Sequence, residues 1–138
     1  MNEFKLIVAG SRDFNDPYLL NSVLFAMADV EFAEHNVSIV SGMARGADAH
    51  GAAFAEANHV KLYKFPANWD KYGKRAGFMR NEEMALFSDG LLAFWDGQSK
   101  GTAHMISAMK SKGKHVTVIN YLKEPYGNHA RNHLARDE

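Results

Sequence analysis

The chain has 138 residues, enough for one domain with a sizeable core, and its 46% hydrophobic and 23% charged content excludes a disordered or coiled-coil protein. Lys+Arg and Asp+Glu both number 16, so no net field draws the molecule to nucleic acid. Cysteine is absent, which removes disulfides, thiolate zinc sites and cysteine nucleophiles.

The amino terminus, "MNEFKLIVAG", has no basic region followed by a long apolar core, and no run approaches the ~20 apolar residues of a membrane span. A cytoplasmic protein with no membrane partner is expected. Five short runs rich in β-branched or aromatic residues read as strands: "FKLIVAG" (4–10), "VSIVSG" (37–42), "VKLYKFP" (60–66), "LLAFWDG" (91–97) and "HVTVIN" (115–120). Helical segments separate them. The first, 16–35, opens with Asp16 as a cap and Pro17 at the first helical position, and then repeats Leu20, Val23, Leu24 and Met27 at helix spacing. An alanine-rich helix covers roughly 44–58, a third runs from about Gly77 to Phe87, and a fourth from about Thr102 to Lys112, stopped by Gly113.

Strict alternation of strand and helix predicts an α/β fold, a Rossmann-like doubly wound sheet of about five parallel strands with helices on both faces. Residues 1–120 form that domain, and 121–138 are either a polar tail or a short docked helix. Ligands of such sheets bind beyond the carboxyl ends of the strands, where the strand order reverses.

The unusual residues fall at those ends. The first strand leads into Gly10, Ser11 and Arg12, and the second into Ser41, Gly42, Ala44, Arg45, Gly46 and Asp48. After the third come Asn68, Trp69 and a basic loop reaching Arg80 and Asn81. The fourth gives Trp95, Asp96, Gly97, Ser99, Lys100, Gly101 and Thr102. Charge is uneven in the same sense, since 61–80 carries six bases against Asp70 alone, while 13–34 carries five acids and no Lys or Arg.

Glycine lets backbone amides approach an anion, and a helix amino terminus adds unpaired N–H groups and partial positive charge. "SGMARG" and "GQSKGT" both stand where they can do this, with arginine forks suited to phosphate close by. Either turn alone is an ordinary strand–helix connection. Two of them, each with a base and each opening a helix, point to an anion site. Neither a Walker A loop nor a G-x-G-x-x-G motif occurs.

Trp69 lies in a polar loop and suits stacking on a base, whereas Trp95 ends an apolar strand and is as well explained by core packing. Asp48 and Asp96 are candidate acceptors for ribose hydroxyls. Asp48 is equally a helix cap or a partner for Arg45. His129 and His133 stand at i,i+4 without an acidic third ligand, and His50 and His59 read as packing or surface residues, so no metal site is expected.

Four segments in order, "VAGSRDFND" (8–16), "IVSGMARGADAHGAAFA" (39–55), "RNEEM" (80–84) and "WDGQSKGTAHMI" (95–106), resemble the YspA-type, YpsA-related branch of the SLOG superfamily over roughly residues 4–120. The resemblance implies a Rossmann-like sheet and a nucleotide-related ligand: a nucleoside phosphate, an ADP-ribose-like molecule or a signalling nucleotide. No further cofactor is expected. Related SLOG proteins assemble as dimers or tetramers, so a homo-oligomer is an implied partner, with the second helix around Phe54 as a candidate face and helix–sheet packing as the alternative.

Two better characterised relatives imply different activities. LOG phosphoribohydrolases cleave nucleoside monophosphates at the N-glycosidic bond. Arg80 and Met84 resemble their arginine and methionine helix, and Gly101-Thr102 resembles their G-T motif. In LOG enzymes a catalytic glutamate follows that motif. Here Ala103, His104 and Met105 follow instead, and a catalytic version of the site would have to use Arg80 with Asp96 or Asp48. The DNA-processing protein DprA binds single-stranded DNA, and its "SG-x-A-x-G-x-D" and "RN" segments resemble 41–48 and Arg80-Asn81. A nucleotide sensor, carrier or sequestering protein is therefore the favoured expectation, ahead of an N-glycosidase and a single-stranded nucleic-acid binder.

Overall fold

A computed structural model describes residues 2–123. The chain order is β1 (Asn2–Gly10), α1 (Pro17–Ala26), β2 (His35–Ser41), α2 (Ala47–Ala57), β3 (Leu62–Lys64), α3 (Trp69–Tyr72), α4 (Ala76–Phe87), β4 (Gly90–Trp95), α5 (Lys100–Ser111) and β5 (His115–Asn120). The strands form one five-stranded sheet in the order β3-β2-β1-β4-β5, and every pairing is parallel. The tail expected over 121–138 and its two histidines lie almost wholly outside the described residues. No helix among the described residues is long and apolar enough to cross a membrane.

The core explains why the central strands read as continuous apolar runs. In β1, Leu6 and Val8 face one cluster with Leu20, Leu24, Phe54 and Ala55, while Ile7 and Ala9 face a second with Met84, Ala85, Met105 and Met109. The first cluster belongs to α1 and α2, the second to α4 and α5. A strand covered on both faces has no polar side to alternate with. Phe54 is buried in the first cluster and meets Phe25 edge-on, so helix–sheet packing accounts for it.

Local signals set the element ends. Asp16 accepts the Leu19 amide at 3.1 Å and Pro17 opens α1. The helix then widens into a π turn over Met27–Glu31, where the Phe32 amide reaches the Met27 carbonyl. At the far end of α4, the Lys114 ammonium donates to the carbonyls of Ala85 and Ser88 at 2.6 and 2.7 Å, supplying the positive charge that a helix carboxyl terminus favours. β3 is shorter than the 60–66 run suggests, because this edge strand has one neighbour and the chain leaves it toward Pro66.

The order of strands places the reversal between β1 and β4. From β1 the chain winds outward to β3, then returns to lay β4 on the other flank of β1. The carboxyl ends of these two strands, Gly10 and Trp95, therefore bound the crevice that a doubly wound sheet offers to ligands.

Candidate functional site

A cavity of about 430 Å³ opens at that crevice. Its floor is built by the β1–α1 loop. The Ser11 amide donates to the Phe94 carbonyl at 2.9 Å, and the Asp96 amide donates to the Ser11 hydroxyl at 3.0 Å, so the two strand ends are tied together. The Ser11 carbonyl in turn accepts the Ala47 amide at 3.3 Å, the first of α2. Gly46 permits this contact. Its φ is +83°, and a Cβ there would collide with the carbonyl oxygens of Ser11 and Arg12. The glycine expected to face a ligand is instead spent on bringing two loops together.

The loop between β2 and α2 is tied to itself in the same way. Ser41 is fully buried, donates its hydroxyl to the Asp48 carbonyl at 2.9 Å and accepts the Met43 amide at 3.0 Å. It therefore shapes the turn. Asp48, 5% exposed, sits in the first turn of α2 and lines the cavity. Burial pushes its carboxyl up to about 6, with the Arg80 charge and the Ala44 and Gly10 amides pulling the other way. Arg45, by contrast, is largely solvated and meets Asp13 only at 3.8 Å, a surface pair of little energetic weight.

Arg80 comes from α4 and crosses to this loop. Its Nη1 donates to the Gly42 carbonyl at 2.5 Å and to the Phe65 carbonyl at 3.3 Å, and its Nε donates to the Asn81 Oδ1 at 3.0 Å. Gly42 is required beneath it, since a Cβ would stand 2.5 Å from Nη1 and 2.8 Å from an Asp48 carboxylate oxygen. Nη2 is left without a protein hydrogen bond among the described residues. Burial lowers the pKa of the guanidinium while Asp48 opposes that change, and an arginine remains charged regardless. Asn81 extends the tie to α5 by donating to the Gly101 carbonyl at 3.2 Å and lying 3.3 Å from the His104 Nδ1.

The turn between β4 and α5 completes the wall. The Asp96 carboxylate accepts the amides of Gln98 and Ser99 at 2.8 and 2.7 Å. Burial works against its ionisation, but these amides and the Ser11 hydroxyl outweigh it and hold the carboxyl below its ordinary value. Ser99 and Thr102 pair through their hydroxyls at 3.2 Å, and the Trp95 indole donates to the Ser99 carbonyl at 3.0 Å while packing on the second core cluster. The first turn of α5 has no side-chain cap, and no protein acceptor meets the amides of Lys100, Gly101 or Thr102 among the described residues.

Of the residues singled out in the sequence, the cavity brings together Gly10, Ser11, Arg12, Ala44, Arg45, Asp48, Trp69, Arg80, Asn81, Asp96, Ser99, Gly101 and Thr102. Ser41, Gly46, Trp95, Gly97 and Lys100 are not part of its lining, and Gly42 supports Arg80 from a neighbouring hollow. Trp69 is half exposed, with the Arg12 guanidinium over its ring at 5.9 Å. Lys74, Phe78 and Met105 also line the cavity, although none of them is a candidate ligand residue in the sequence. The Phe78 ring, half exposed, packs on His104 at 4.5 Å. Its exposure depends on how α4 packs, and nothing local in the sequence signals it.

The chemistry of the cavity is asymmetric. The α2 end carries a carboxyl and has already given its first amide to Ser11. The α5 end offers open amides beside the mutually paired hydroxyls of Ser99 and Thr102, with Arg80 joined to it through Asn81. An anion is favoured at α5 and repelled by an ionised Asp48.

Residues 4–72 match the model of the YspA, cpYpsA-related SLOG family. The chain is also 33% identical over 128 residues to the Gene 61 protein of Mycobacterium phage D29, an alignment that spans 88% of this chain and 98% of that protein. No solved structure matches the chain significantly.

Proposed function

The chain belongs to the YspA, cpYpsA-related SLOG family, and from that premise we propose that it binds a nucleotide or nucleotide-derived ligand as a sensor, carrier or sequestering protein. Membership is consistent with a nucleotide-related ligand. The observation that carries the reading is the meeting, in one cavity, of an uncapped α5 amino terminus, the pinned Arg80 and two half-exposed rings, Trp69 and Phe78. A phosphate takes the amides and hydroxyls of α5. A base takes the rings, and Asp48 stands between as an acceptor or, when protonated, a donor for a sugar hydroxyl.

Binding without turnover is favoured by the state of Asp96, whose carboxylate is occupied by two amides of its own turn. Hydrolysis at the N-glycosidic bond remains the second reading on one observation, the buried Asp48 carboxyl in the same cavity as Arg80.

The test is a thermal-shift screen with nucleoside monophosphates, ADP-ribose, NAD and cyclic nucleotides, followed by chromatography of the recovered ligand. At least one member should raise the melting temperature and be recovered unchanged, and Arg80→Ala should abolish the shift while circular dichroism retains the α/β signal. Release of free base would select the hydrolytic reading. No shift with any member would remove the small-ligand reading altogether.

A further inference from the structure

A second hollow of about 440 Å³ adjoins the first. The two share Arg12, Ala44, Arg45, Trp69 and Arg80, so these residues form a common wall rather than separate sites. Their chemistry differs. The first cavity holds the carboxylates of Asp13, Asp48 and Asp96, while the charged residues of the second are Arg12, Arg45 and Arg80 alone. Met43, Pro66 and Ala67 line the second hollow with apolar surface together with the indole of Trp69.

Hydrogen bonds hold Arg80 of this wall in place. Arg80 is anchored by the carbonyls of Gly42 and Phe65 on the side of the second hollow, so its guanidinium stands fixed between the two spaces. Met43, which lines the second hollow only, adopts φ +63°, a backbone conformation that costs a side-chain-bearing residue about 1–2 kcal/mol, and the residue is 39% exposed. A space with cations, no acid, a half-exposed indole and an apolar floor is suited to a planar group carrying its own negative charge.

We propose that the second hollow is a subsite for a second nucleotide unit, so that the ligand class is a pair of nucleosides joined through phosphate and laid across Arg80, one unit in each cavity. The proposal rests on the nucleotide reading of the first cavity and adds the ligand's second half. A free dinucleotide and two consecutive residues of a single strand share this chemistry.

Isothermal titration of the full chain with AMP, GMP, CMP and UMP, and with the matching 5′-phosphorylated homodinucleotides, tests it. The dinucleotide of the best-binding base should bind at least about tenfold tighter than its monophosphate. Met43→Glu and Ala67→Glu place a carboxylate among the arginines of the second hollow only. Each should erase that advantage and leave monophosphate affinity within about twofold. An octadeoxynucleotide of the same base distinguishes the sources. Binding much tighter than the dinucleotide's, and falling steeply with salt, supports the subsite and assigns it to a strand. Equal or weaker binding supports it and assigns it to a free dinucleotide. If the monophosphate binds but the dinucleotide is no tighter, or if both variants weaken the two ligands alike, the subsite is overturned and the nucleotide reading stands. Binding of neither overturns both.

Discussion

Asp48 is a carboxyl that the fold keeps at a cost. At 5% exposure its charged form has lost most of its water, and the through-space field of Arg80 returns only part of that energy. Its folded value of about 6 lies above the roughly 3.9 of an unfolded aspartate. The native state therefore binds the extra proton between those values, and stability falls as pH rises from about 4 to about 6. Above that window the penalty is on the order of 3 kcal/mol. Asp48→Asn removes the titration while preserving an acceptor for the Ala44 amide. Urea unfolding across this range should show the variant more stable by about 1–3 kcal/mol near pH 7, with the gap closing toward pH 4. Parallel profiles would show that Asp48 carries no such penalty. The residue type was legible in "ARGAD", but its burial was not. The side chain that crowds it, Arg80, lies far along the chain on another helix, and the 38 positions between Gly42 and Arg80 hide the reason for that glycine in the same way.

Among the elements, the two helix amino termini that look alike in the sequence behave differently. "SGMARG" and "GQSKGT" both combine glycine, hydroxyl and base. In α2 the first amide is taken by the Ser11 carbonyl and the first turn holds Asp48, whereas α5 keeps its first turn open. That difference depends on which loop packs against which helix, and a single sequence does not reveal it. Gly101 makes it measurable. A Cβ there meets no atom within 4 Å and its φ is not positive, so Gly101→Ala should raise stability by about 0.4–1 kcal/mol. The same methyl stands beside the amides offered to phosphate, so ligand affinity should fall. A variant that gains stability and binds the ligand unchanged would place the phosphate elsewhere. Apolar spacing made α1 readable and alanine content made α2 readable, while α4 and α5 stood out as longer segments between apolar runs, the latter stopped by Gly113. The four-residue α3 is too short to show a period and looks like loop in the sequence; Asn68, which caps it by accepting the Lys71 amide, is its local sign.

At the scale of the whole molecule, topology decides where the chemistry gathers. Alternating strands and helices imply a doubly wound parallel sheet, and the sheet order β3-β2-β1-β4-β5 puts the reversal between β1 and β4. The loops after β1, β2 and β4 begin near residues 11, 42 and 96, far apart in the chain, yet hydrogen bonds from Ser11, Arg80 and Asn81 join them around one cavity. That convergence was legible because the rule placing ligands at strand carboxyl ends needs only the order of elements. The depth of the cavity, its second hollow and the aromatic contribution of Phe78 depend on side-chain packing and were not. A ligand held by all three loops binds the native state alone and must stabilise them together.

Hydrogen exchange followed by mass spectrometry, with and without the best ligand of the thermal screen, tests this account most directly. It predicts simultaneous protection of segments 11–14, 42–46 and 97–102 on binding, with the strand amino ends near His35 and His115 unchanged. Protection confined to those amino ends, or a bound ligand that leaves the three loops exchanging as before, would contradict it.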